Sequence, residues 1–142
     1  MLLLLMPDQV PRYWEDIKEG IESTLPLGIP GRSQRILAGL LSGRVQAWVS
    51  YRRGDKTVVD GAVLTRIVED DIDGTRDLLI YCLWAIGETH ESTWTEGLKA
   101  LLDYGRGKGC NRAIAYSDVP MIVGLTKLMN GEARYVFLTW PI

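Results

Sequence analysis

The stretch from Asp77 to Ile86 (DLLIYCLWAI) constrains the fold more than any other part of the chain. It is a nearly continuous apolar run, far short of the roughly 20 residues of a membrane span. A strand with one wet face alternates apolar and polar residues, so a run without alternation predicts an inner strand covered on both faces.

The rest of the pattern supplies its neighbours. Val10, Trp14, Ile17, Ile21 and Leu25 repeat at helical spacing, with Pro11 in the first turn and Pro26 as the stop. Ser33 is placed to cap a second helix carrying Ile36, Leu37, Leu40 and Leu41, which Ser42-Gly43 closes. Val45 to Arg52 and Thr57 to Glu69 read as strands joined by the turn Arg53-Gly54-Asp55-Lys56, with Gly61 as a bulge or a point of close packing. Thr93 and Glu96 form a capping-box pattern for a third helix whose buried face is Trp94, Leu98, Leu101 and Leu102. Arg112 to Ser117 is the next strand, Pro120 opens a short helix ended by Asn130-Gly131, and Ala133 to Trp140 is the last strand. Leu2 to Met6 is the first strand, expected to be buried on both faces: the run lacks the basic lead and longer apolar region of a signal peptide. The expected order is β-α-α-β-β-β-α-β-α-β, a mixed central sheet flanked by helices in one α/β domain spanning 1–142.

Several functions are disfavoured. Sixteen basic against eighteen acidic residues, net charge −2, leave no basic stripe for nucleic acid. Cys82 and Cys110 lack metal-ligand spacing, His90 is the only histidine, and reduced thiols in a cytoplasm are expected. The acidic turn Asp70 to Gly74 resembles a calcium loop, but counting from Glu69 or Asp71 puts Ile80 or Cys82 where the twelfth-position carboxylate belongs. No metal is expected. The glycine-rich stretch Gly105 to Gly109 follows a helix C-terminus, whose carbonyls repel anions. Five Trp and six Tyr against one Phe suit half-buried and contact positions, with Trp48, Trp84, Trp94, Tyr135 and Trp140 as candidates for partner contacts or core.

The element order, together with Trp14-Glu15-Asp16-Ile17, the passage Leu41 to Val49, Gly61-Ala62-Val63 and the passage Leu98 to Cys110, resembles the GNAT superfamily of N-acyltransferases, and most of all small GNAT-like proteins of tailed phages. The resemblance implies an acyl-coenzyme A site in the gap between strands four and five. There the pyrophosphate is held by a loop of pattern (Gln/Arg)-x-x-Gly-x-(Gly/Ala) at a helix start, where glycines let backbone N–H groups reach phosphate.

The corresponding stretch here, Ile86 to Thr93 (IGETHEST), has one glycine, no Arg or Gln, and two glutamates. Carboxylates beside a diphosphate are unfavourable by about 1 kcal/mol each at ~4 Å in water. The resemblance also implies a tyrosine acid in the fourth helix, where Thr126 stands, leaving Tyr116 or Tyr135 as substitutes. The expectation is therefore a non-catalytic interaction or assembly protein of a tailed phage, with other phage proteins or copies of itself as partners, in the host cytoplasm or the virion, without a cofactor and without membrane contact. The alternative is an acyl-CoA-dependent N-acyltransferase for a small amine or protein amine, with acetyl-CoA held by Gly87 and the N–H groups of Ser92 and Thr93.

Overall fold

Asp77 to Ala85 does form a strand, and it is an inner one from Asp77 to Ile80. The computed structural model describes residues 2–26, 28–52, 58–85, 91–117 and 120–142. Five strands, β1 (Leu2–Leu4), β2 (Val45–Arg52), β3 (Val58–Asp70), β4 (Thr75–Ala85) and β5 (Arg112–Ala115), lie in one sheet in that order. The first four pair antiparallel, and β5 runs parallel to β4. Helices α1 (Val10–Thr24) and α2 (Arg32–Ser42) precede β2, α3 (Glu91–Gly107) joins β4 to β5, and α4 (Pro120–Leu128) follows β5.

The helices form where the apolar spacing places them. The stripe of α1 buries Val10, Ile17 and Ile21, and α2 adds Ile36 and Leu40. Together they cover one sheet face, meeting Ala47, Val49, Ala62, Leu64 and Cys82. α1 stops where Leu25 turns extended ahead of Pro26, which cannot continue a helix. On the opposite face Leu101 of α3 packs with Trp48, Val63 and Leu78, and Tyr104 meets the Trp48 ring edge-on at 5.1 Å. The Trp48 indole N–H donates to Thr65 Oγ1 at 3.0 Å, and that hydroxyl donates in turn to Gln46 Oε1 at 3.0 Å, so these two buried polar groups are partnered.

Two bulges decide which side chains face which layer. Tyr51 pairs with Val59 and Ser50 with Gly61, leaving Asp60 as the extra residue of β3. Thr65 pairs with Ile80 and Leu64 with Cys82, leaving Tyr81 as the extra residue of β4. The extra residue reverses the alternation. Leu78 and Ile80 therefore face α3, whereas Cys82 and Trp84 face α1 and α2.

Several expectations need correction. β1 is an edge strand with Leu3 42% exposed, so the opening leucines are not covered on both faces. The bulge of β3 is at Asp60; Gly61 is the point of close packing, where a Cβ would come within 3.0 Å of the Trp84 carbonyl oxygen. Gly31, with a left-handed φ of 87°, precedes α2 in place of Ser33, because the chain must reverse sharply there and only glycine does so without strain. α3 is already helical at Glu91, so Thr93 is its third residue and not its cap. Residues 133–140 form no strand: alternation permits one, but a strand exists only where a neighbour takes its backbone groups, and here none does among the described residues.

Candidate active site

The parallel ladder between β4 and β5 is short. It runs from Asp77–Arg112 to Ile80–Ala115, while β4 continues to Ala85. Residues Tyr81 to Ala85 therefore have no strand beside them on the β5 side among the described residues, and the bulge at Tyr81 coincides with the parting of the strands. The base of this fork is fastened. Asp77, 6% exposed, accepts two hydrogen bonds from Arg112, from Nε at 2.9 Å and Nη2 at 3.2 Å. Asn111 adds a reciprocal pair, its N–H to Arg76 O at 2.7 Å and its Oδ1 to the Arg76 N–H at 2.9 Å. An opening between parallel strands, at their carboxyl ends and next to a helix start, is where ligands bind in α/β sheets.

The fork has phenols on both sides. Tyr81 and Tyr116 are the residues that follow the last rung on β4 and on β5, and both are exposed. On the α1 side, Trp84 lies so close over Gly20 that a Cβ there would come within 2.4 Å of its ring. Nearby at the same end of the sheet, the Tyr51 hydroxyl donates to the Tyr13 hydroxyl at 3.0 Å. Burial, reinforced by that hydrogen bond, pushes the Tyr51 phenol up to about 12. Asp60, between the residues paired with Tyr51 and Ser50, has a buried Oδ1 without a hydrogen-bond partner among the described residues.

Of the residues singled out for a phosphate, Ser92 and Thr93 are exposed in the first turn of α3. Backbone N–H groups of a helix's first turn have no partner within the helix and carry partial positive charge. Gly87 and His90 lie outside the described residues. Glu91, Ser92, Thr95, Glu96 and Lys99 line a shallow groove along this turn. Glu91 and Glu96 are exposed, so water screens their charge. Thr126 is unsuited to acid catalysis, since its hydroxyl is engaged with Ile122 O at 2.8 Å. Trp48 belongs to the core, Trp84 and Trp94 are half-buried, and Tyr135 and Trp140 are exposed. Sequence reasoning missed Tyr81, because a bulge leaves no mark in a run of apolar residues, and it missed Asp60 by reading the β3 bulge one residue on, at Gly61. Among the described residues no cluster of His, Cys, Asp or Glu could hold a metal, and no helix is long and apolar enough to cross a membrane.

No protein-family model matches the chain, and no curated protein matches it in sequence. Solved structures do. A probable acetyltransferase superposes with a TM-score of 0.76 at 11% identity, over 100% of this chain and 97% of that one. The aminoglycoside N-acetyltransferase AAC(6')-Iy, in complex with the bisubstrate analogue CoA-S-monomethyl-acetylneamine, gives 0.74 at 12% identity, over 100% and 98%. Ribosomal-protein-alanine N-acetyltransferase from Brucella melitensis biovar Abortus 2308 gives 0.69 at 12%, over 100% and 99%. The chain has the GNAT fold. The gap between strands four and five, where the resemblance implied a site, is in this fold the parting of β4 and β5.

The expectation of a non-catalytic phage assembly protein is overturned by these neighbours, which are acetyltransferases. The reasoning behind it weighed the side chains of residues 86–93. The groups that a helix start presents to an anion belong to its backbone and not to its side chains.

Proposed function

We infer that the chain is an acyl-CoA-dependent N-acyltransferase that acts on a small amine or a protein amine. The observation that carries this reading is the length of β4, Tyr81 to Ala85, that has no strand on its β5 side among the described residues, with Ser92 and Thr93 in the first described turn of the helix that follows. A donor with amides along a flexible arm and a diphosphate at its far end fits both. Its arm adds to the strand edge through main-chain hydrogen bonds, and its diphosphate meets the start of α3 together with Gly87. The named neighbours support the chemistry, since two acetylate amines and one is held with a coenzyme A conjugate.

In the reaction the amine nitrogen bonds to the thioester carbon and the C–S bond breaks. The nitrogen gives up a proton and the thiolate takes one. N–H groups on the side of β4 that has no strand beside it among the described residues are suited to polarise the carbonyl, and the phenol of Tyr116 at the fork replaces the missing helix-four tyrosine as proton donor. Asp60, with its unpartnered buried oxygen, is the carboxylate offered to the acceptor's ammonium.

The test is acetyl-CoA-dependent thiol release across a panel of amines, aminoglycosides and N-terminal alanine peptides included. At least one amine is expected to turn over, with Tyr116→Phe lowering kcat and Asp60→Asn raising KM. A flat trace across the panel overturns the reading.

A further inference from the structure

Beyond the last rung with β5, β4 presents different side chains to the two layers of the molecule. Leu83 faces the α3 layer, whereas Cys82 and Trp84 face α1 and α2. Cys82 is buried and Trp84 is half-buried. The six-membered half of the Trp84 indole is seated on the backbone of α1: a Cβ at Gly20 would come within 2.4, 2.6 and 2.9 Å of three of its atoms. Glycine is among the least favourable residues in a helix interior, and Gly20 is both interior to α1 and buried. The missing side chain makes room for the indole.

The donor of the proposed reaction has a direction. α3, whose start takes the diphosphate, covers the sheet face opposite to α1 and α2. The acyl group sits at the other end of the donor. A donor that passes through the parting of β4 and β5 from the α3 side therefore carries its acyl group toward the α1 side. There Trp84 stands, within the length of β4 that has no strand on its β5 side among the described residues.

We propose that Trp84 sets the size of the acyl group, its indole walling the α1 side of the parting so that an acetyl group is accepted and a hexanoyl chain is refused. The inference rests on the acyl-CoA reading and deepens it. Extra methylenes can be housed only if the wall gives way, and this ring has the backbone at Gly20 behind it. Truncating Trp84 opens an apolar recess beside Gly20 and Cys82, and an apolar cavity of roughly 150 Å³ takes up a small apolar guest.

Thiol release from acetyl-, butyryl- and hexanoyl-CoA, across the amine panel, tests this in the wild type, Trp84→Leu and Trp84→Ala. The wild type is expected to prefer acetyl-CoA to hexanoyl-CoA by at least about tenfold in kcat/KM, the discrimination a single methylene can supply in an apolar pocket. Trp84→Ala is expected to erase or reverse that preference. Trp84→Leu, which keeps an apolar side chain against α1, is expected to gain on butyryl-CoA, so the test stands even where the alanine variant does not fold. A wild type that uses hexanoyl-CoA as well as acetyl-CoA overturns the inference and leaves the enzymatic reading intact. So do variants that lose all three donors in equal proportion, as a merely structural residue would cause. No thiol release from any donor in any chain overturns both.

Discussion

Arg112 grips Asp77 with two N–H groups on the first rung of the β4–β5 ladder, three rungs before the strands part at Ile80 and Ala115. The ion pair is lopsided: the Asp77 side chain is 9% exposed and that of Arg112 is 55% exposed. Removing the arginine leaves a carboxylate that water barely reaches.

Arg112→Ala is therefore expected to destabilise the fold, by less than the loss of a fully buried pair because the guanidinium is half in solvent. The urea midpoint measures this. Asp77→Leu combined with Arg112→Leu is expected to recover much of the loss, since no charge is then left buried.

Gly20 and Trp84 give a test of opposite sign from helix propensity. An alanine in an exposed helix interior gains about 1 kcal/mol over glycine. At Gly20 the new Cβ would press on the Trp84 ring from 2.4 Å, and backbone and ring must move apart. Gly20→Ala is expected to cost about 1–3 kcal/mol in thermal or chemical unfolding, and Trp84→Leu in the same chain is expected to shrink that cost.

How much of this was legible in the sequence depended on whether a feature is local. The stripe of α1 and the apolar run of β4 each state their own burial, so the helices and the inner strand were found where they are. Register is not local. Nothing in Leu78 to Ala85 marks Tyr81 as the extra residue, because either parity puts apolar side chains on both faces. Pairing is not local either, so residues 133–140 looked like a strand and are not one. The site suffered from the same limit. Residues 86–93 were judged by their side chains, whereas the groups a helix start presents to an anion belong to its backbone.

Tyr51 gives the pH dependence. Its phenol is pushed up to about 12 from an ordinary 10.0, first by burial and then by the bond to Tyr13, so the fold favours the neutral form. Its contribution to stability is present in full below pH 10 and lost as pH rises through 12. Tyrosinate absorbance is expected to show the Tyr51 phenol ionising well above pH 10, and Tyr104, pushed up by its own burial, is shifted in the same direction. Tyr13→Phe is expected to lower that late step without abolishing it, because burial remains the larger cause.

The central claim, that the fork and the α3 start hold an acyl-CoA, is tested most directly by calorimetric titration with acetyl-CoA. The account expects saturable micromolar binding that desulfo-coenzyme A competes for. It also expects Ser92→Pro to weaken binding about tenfold, the loss of one charge-assisted hydrogen bond, without unfolding the chain. Among the described residues Ser92 is the second of α3, and a first helical turn tolerates proline, as Pro11 in α1 shows. No saturable heat from the wild type, or equal affinity in Ser92→Pro, would contradict it.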